Sequence, residues 1–225
     1  MLYKKTYQKK ATVKGLTQVQ KKAVTTIAKK VTYKVAETKS ALNPNLAYSH
    51  FDDAIYAQNL NFFMAQGSNS EQIVGEKFFL KNINIKGSFS NINSTITGNG
   101  TLTWRLAIIR TKKQLTSTAL SVSPLDIFRT NTVQQASVGM IDLHKVDLIY
   151  DKVHQISQPN LINTNQNVPF NINVQINKTH FLDQDNSGYL KDKNYYLIST
   201  CHKADSISQN TGFIRFQYVL NFKDL

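Results

Sequence analysis

VPFNINVQINK, residues 168–178, sets Phe170, Ile172, Val174 and Ile176 on one side of an extended chain and amides on the other. A repeat of two suits a half-buried β-strand; a helix, with its period near 3.6, cannot gather those residues on one face. The same grammar recurs from Lys77 onward. KFFLKNINIKG (77–87) sets Phe79, Ile83 and Ile85 against Lys81, Asn82, Asn84 and Lys86. GTLTWRLAIIR (100–110) puts Leu102, Trp104, Leu106 and Ile108 on one face, with Trp104 the expected centre of a core. Residues Ile141 to Ile156 read as one long or broken strand, and NYYLISTCHK (194–203) separates Tyr196, Ile198 and Thr200 from Tyr195, Leu197 and Cys201. TGFIRFQYVLNF (211–222) is a further strand, and turns rich in Asn, Ser and Gly lie between these runs. Such strands with no amphipathic helix among them predict an all-β sandwich. SPLDIF, Ser123–Phe128, reads as one helical turn capped by Ser123.

The charge is distributed quite differently. Residues 1–39 hold eleven lysines against the single acid Glu37, a net of +10 out of +13 for the whole chain. Two parts follow: a basic arm, residues 1–40, and a near-neutral body, residues 41–225, with Asn43-Pro44 punctuating the junction. Within the arm, Leu16, Val19, Ala23, Ile27 and Val31 recur at spacings of three and four. A helix over residues 16–35, about 30 Å long at ~1.5 Å per residue, would collect them on one stripe. Many of its residues are Thr or Val, weak helix formers, so it needs neighbours to firm up. A solvated tail and a membrane-surface helix are the rival readings; the latter would normally carry more large apolar residues.

Lysine without arginine says what such an arm binds. Arginine and asparagine forks read base edges, whereas lysine is a flexible point charge. Lys4, Lys5, Lys9, Lys10, Lys14, Lys21, Lys22, Lys29, Lys30 and Lys34 are therefore candidate phosphate contacts, sequence-independent and salt-sensitive.

Other chemistries find little support. Cys201 is the one cysteine, so neither an intrachain disulfide nor a cysteine-built zinc site is available. No run approaches a membrane span, and the first residues lack the apolar core of a secretory signal. No nucleophile elbow, phosphate loop or metal-spaced histidine pair occurs. Cys201 and His202 are neighbours on a strand, pointing to opposite faces, and Asp52-Asp53 reads as loop. No enzyme activity is expected. DQDNSGYLKDKN, from Asp183, begins like a calcium loop: Asp183, Asp185 and Ser187 stand at positions one, three and five, and Gly188 at six. Asn194 holds position twelve, where a bidentate Glu belongs. A plain turn at Asn186-Ser187-Gly188 is the favoured account, with calcium the minority one and no other cofactor expected. Phe62, Phe63, Phe78, Phe79, Tyr195 and Tyr196 are candidates either for base stacking or, more simply, for core and interface.

In this order and spacing the residues resemble a known family. AQGSNSEQIVGEKFFLKNINIKGSF (65–89) is similar to a recurring segment in the single jelly-roll capsid proteins of circular Rep-encoding, circovirus-like single-stranded DNA viruses, which include coats similar to that of satellite tobacco necrosis virus. The matching positions are Gln66, Gly67, Gly75, Lys77, Phe79, Lys81, Ile83, Ile85 and Gly87. WRLAIIR, SPLDIF and VDLIYDKVHQI resemble the family's later segments, although Arg110-Thr111-Lys112 replaces its usual Trp-Asp pair.

The resemblance implies an eight-stranded viral jelly roll preceded by the partly helical arm. Six or seven strands can be assigned; the missing short one is expected in Thr116–Val122 or Thr130–Val138. It also implies a homo-oligomeric shell of about sixty copies with two-, three- and five-fold contacts, a packaged single-stranded DNA genome, and a life in the virion and, during assembly, the host nucleus. Leu16, Val19, Ala23, Ile27 and Val31 would pack arms together. Residues such as Phe62–Met64 and Phe128, apolar in expected turns, would serve contacts between copies. The alternative from the residues alone is a soluble, non-specific single-stranded nucleic-acid-binding β-sandwich; a carbohydrate-binding sandwich is third.

Overall fold

The computed structural model describes residues 15–51, 54–61, 64–67, 71–91, 101–115, 123–130, 136, 138–157, 167–183, 189–203 and 210–225. A helix, α1 (Gln18–Val35), precedes eight strands: β1 (Thr38–Phe51), β2 (Ile55–Asn59), β3 (Lys77–Asn91), β4 (Thr101–Thr111), β5 (Asp147–Ser157), β6 (Asn167–Phe181), β7 (Asn194–Lys203) and β8 (Asn210–Asp224). They form two antiparallel sheets, ordered β1-β8-β3-β6 and β2-β7-β4-β5. That interleaved order, two Greek keys folded face to face, is the jelly roll.

The sandwich core is aromatic at one end. Phe89 lies between Trp104 and Phe170, each with its ring centroid 4.8 Å away. Trp104 is fully buried, with Leu102, Leu106 and Ile108 on the same face of β4, as the alternation predicts. Its ring lies so close to β8 that a Cβ on Gly212 would sit 2.3 Å from Trp104 Cζ2. No side chain fits there, so the glycine is required by close approach.

A second core lies on the other side of the β2-β7-β4-β5 sheet. Residues of the β4–β5 connection, among them Ile127, Phe128, Ile141 and Val146, pack on Ala107, Ile109, Tyr196 and Ile198. Burial on both faces is why "RLAIIR" and "NYYLIST" are almost continuously apolar. Arg105 holds this cover down. Its guanidinium makes a two-pronged bond to Asp151 (2.7 and 2.6 Å) and donates to the carbonyls of Ala136 and Gly139. Phe128 sits beneath the cation, 5.2 Å from the ring centroid.

Several expectations need correction. The missing strands lie before the expected places: they are β1 and β2. Thr116–Val122 lies outside the described residues, as does most of Thr130–Val138. Asn43-Pro44 does not end the extended structure; it sits at a register shift between Asn43 and Leu46 in edge strand β1. A bulge on an edge is where a strand tolerates proline. Phe79 does not share a face with Ile83 and Ile85. The register slips between Leu80 and Asn82, so Phe78 and Leu80 are the buried partners of Ile83 and Ile85. On β6 the same irregularity puts Asn177 in the left-handed region, φ 49°. Ile141 does not begin β5 but bridges Phe128. Pro124–Asp126 is the expected helical turn, yet the Ser123 side chain makes no capping bond. Met64 and Phe128 are buried, so neither is free for a partner.

His180 supplies a pH lever. It is buried between the sheets, its Nε2 3.0 Å from the Tyr195 hydroxyl and its Nδ1 without a hydrogen bond. Burial, with Arg110 nearby, holds its pKa down to about 4, while burial pushes Tyr195 up to about 12. The unfolded chain therefore takes up a proton, near pH 6.5, that the folded chain refuses. This contribution is intact above pH 6.5 and is lost as pH falls towards 4. Unfolding free energies from urea titrations at pH 7.5 and 4.5 should differ by about 2–3 kcal/mol more in the wild type than in His180→Phe.

Candidate nucleic-acid interface

α1 is built from its own cap. Thr17 and Gln20 bond reciprocally: the Thr17 N–H donates to Gln20 Oε1 (2.9 Å), and the Gln20 N–H donates to Thr17 Oγ1 (3.3 Å). Thr25 and Thr26 turn their hydroxyls back onto the carbonyls of Lys21 and Lys22, each at 2.8 Å. The weak helix formers thus satisfy themselves locally. Every described side chain from Gln18 to Val31 is exposed, so the body contributes no packing to that stretch of the helix.

The predicted arm residues fall accordingly. Lys21, Lys22, Lys29 and Lys30 stand exposed on α1 and Lys34 is in its last turn; Lys4, Lys5, Lys9, Lys10 and Lys14 lie outside the described residues. There is no acid in α1 to offset them. Leu16 is half-buried just before the helix. Ala23 is exposed, and Val19, Ile27 and Val31 keep 78%, 61% and 56% of their surface exposed. The stripe exists, and nothing in the described chain covers it.

α1 ends at Val35 and β1 begins at Thr38, so only Ala36 and Glu37 separate arm from sheet. Lys39, next along, is riveted: its Nζ lies 2.7 Å from Asp224 and donates to the Gln72 carbonyl at 3.1 Å.

The remaining candidates separate clearly. Phe78, Tyr195 and Tyr196 are buried and belong to the cores; Phe62 and Phe63 lie outside the described residues. Among the described members of that group, Phe79 alone reaches the surface, on the outer face of β3. Cys201 is buried in the sandwich, and His202 points to the opposite face of β7. Asp52-Asp53, Asp185 and Ser187 lie outside the described residues. Asp183 stands at the neck of its loop, closed by a bridge between Leu182 and Leu190 and by a 2.9 Å bond from its own N–H to the Tyr189 carbonyl. Asn194, at the twelfth position, is buried and spends its amide oxygen on the Leu190 N–H at 2.7 Å. Among the described residues, no three His, Cys, Asp or Glu side chains gather as metal ligands. No described helix is long and apolar enough to cross a membrane.

Sequence reasoning missed a row of polar groups on the outer face of the β1-β8-β3-β6 sheet. Ser40 Oγ donates to Asn221 Oδ1 (2.6 Å), and Asn221 Nδ2 donates to Asn82 Oδ1 (2.7 Å). Three distant segments meet there, so only the asparagine-rich alternation hinted at it.

No family model matches the chain, and no curated protein matches it. Among the solved chains similar to it in structure are two from infectious bursal disease virus. One comes from the crystal structure of the viral particle (8% identity, TM-score 0.27) and covers 81% of this chain and 36% of that one. The other, from the Gx strain, has 9% identity and a TM-score of 0.25, over 81% and 37%. The chain spans just over a third of the length of these neighbours. At such scores the likeness adds nothing to the strand order, which the hydrogen-bonded ladders establish by themselves.

Because the side chains from Gln18 to Val31 are exposed and the first turn is held by its own cap, Thr17→Ala should cost about 1 kcal/mol of helix stability. Ellipticity at 222 nm should fall while the thermal midpoint of the β body stays put.

Proposed function

We propose that the chain is a coat subunit that assembles into a small closed shell, of about sixty copies, around single-stranded nucleic acid. The observation that carries this reading is the union of a jelly-roll body with an exposed, acid-free, lysine-only helix joined to its sheet edge. Sixty arms at +10 each put roughly 600 positive charges inside, enough to neutralise much of a genome of order a thousand nucleotides. DNA, the icosahedral geometry and passage through the host nucleus rest on the family resemblance of residues 65–89 and the segments after it. Lysines then suit the task, since a coat must hold every sequence of its genome equally.

The body supports association too. Val138, Met140 and Leu143 are 70%, 74% and 63% exposed on the β4–β5 connection. Met140 and Leu143 line an open depression of about 410 Å³ with Leu148 and Arg129. Apolar side chains gathered in this way ask to be covered, and a second copy of the chain is the natural cover. The uncovered stripe of Leu16, Val19, Ala23, Ile27 and Val31 is likewise suited to pack one arm on another.

Electron microscopy of purified full-length protein, with absorbance at 260 and 280 nm after nuclease treatment, tests the reading. Uniform particles about 20 nm across with protected nucleic acid are expected. A monodisperse monomer that binds DNA and releases it at high salt would replace this reading with the soluble binding module. In the same assay the pair Val19→Asp and Ile27→Asp should lower the yield of filled particles several-fold; an unchanged yield removes the packing role of the stripe.

A further inference from the structure

The outer face of the β1-β8-β3-β6 sheet has a one-sided charge. β8 buries Ile214, Phe216, Tyr218, Leu220 and Phe222, and so turns Arg215, Gln217, Asn221 and Lys223 outward. Lys86 on β3 lies opposite Gln217 on β8 and Asn171 on β6. No carboxylate stands on this face among the described side chains. The other outer surface differs: Asp126, Asp142, Asp147 and Asp151 all lie on the β4–β5 connection or β5, each engaged by Lys or Arg.

The cations form a track. Arg215 is a diagonal neighbour of Lys86, about 7 Å away across the ladder. Lys223 is eight residues along β8, about 26 Å from Arg215 at ~3.3 Å per residue. It lies opposite Thr38, the residue at which the arm enters the sheet. Each end of the track also holds an aromatic ring. The Arg215 guanidinium sits over Phe213, 4.9 Å from its centroid, and Lys223 is the cross-strand partner of half-buried Phe79. Spaced cations, amide donors and half-exposed rings without acids are what a single strand of nucleic acid needs from a sequence-blind surface.

We propose that this sheet face is a second binding surface for single-stranded nucleic acid, taking the same strand that the arm holds and carrying it from Lys223 to Arg215. The proposal rests on reading the chain as a nucleic-acid binder. It adds that the body, not only the arm, contacts the phosphodiester backbone.

The test is fluorescence anisotropy of a labelled thirty-residue oligo-dT with full-length protein across a salt series. Substituting Lys86, Arg215 and Lys223 together by Gln should flatten the slope of log K against log salt by about 2, at roughly 0.7 per lost phosphate contact. Affinity at 0.1 M salt should fall at least tenfold, with the thermal midpoint unchanged. Lys86→Gln alone should flatten the slope by about 0.7, which guards against misfolding of the triple variant. Lys112, Lys113 and Lys145 on the opposite surface, all changed to Gln, should leave slope and affinity alone. A wild-type slope in the triple variant overturns the proposal, even if particle assembly changes, since the face would then serve contacts between copies. Equal weakening by the opposite-surface variant overturns it as well, in favour of diffuse net charge. Failure of the wild type to bind oligo-dT at all removes the parent reading, and this one with it.

Discussion

β8 is the strand on which the rest of the sandwich depends. It lies between β1 and β3, so two of the three ladders in its sheet are its own. It brings five alternating side chains, Ile214 to Phe222, into the core, and Gly212 makes room for Trp104 of the facing sheet. Its partners are remote: Thr38 meets Lys223, and Phe78 meets Asp224. Loop-closure entropy must be overcome before any of these contacts form, so folding of this topology is non-local and slow compared with a helical bundle. The bare edges of the unfinished first sheet are exposed until β8 arrives.

The facing sheet solves a different problem. Its strands carry apolar residues on both sides, and the β4–β5 connection must therefore act as a lid. Arg105 stands at the hinge of that arrangement. Burying a guanidinium is expensive, and Asp151, two carbonyls and the Phe128 ring together satisfy it. Asp147, bonded by Lys193 and Arg110, is held below the usual carboxylate range by those bonds. The side of the molecule rich in acids is thus also the side whose acids are spent on structure. Among the described side chains the opposite face carries no carboxylate, and Lys86 and Arg215 are exposed there.

What could be read beforehand follows from how local each signal is. The arm helix, expected over 16–35 and found at Gln18–Val35, declares itself through spacings of three and four within one segment. β4, β6 and β8 declare themselves through period two. β1 was hidden because Asn43-Pro44 looks like a break, and only the partner strand reveals it as a bulge. β2 was hidden because all five of its residues are buried, leaving no alternation to see. Strict alternation puts Phe79 on the wrong face, because a one-residue slip at Leu80–Asn82 inverts every side chain before it. The cationic track escaped notice because Lys86 and Arg215 meet only through a ladder between strands 129 positions apart in the chain. At the half-formed calcium pattern the sequence offers Asn194 where a bidentate Glu belongs, and in the fold its amide oxygen accepts from the Leu190 N–H.

The junction at Lys39 also has a mechanical meaning. The arm enters an edge strand whose sole ladder is with β8, so a pull on α1 peels β1 from its outermost pair rather than loading the whole sheet at once. The first resistance it meets is the Lys39–Asp224 ion pair and the bond to Gln72; buried Ala41 comes next. A peel that starts at an ion pair feels ionic strength more than one that starts in apolar packing, although burial shields this pair from much of the screening. Tension and salt therefore act on the same joint, at the root of a helix that carries lysines and no acid.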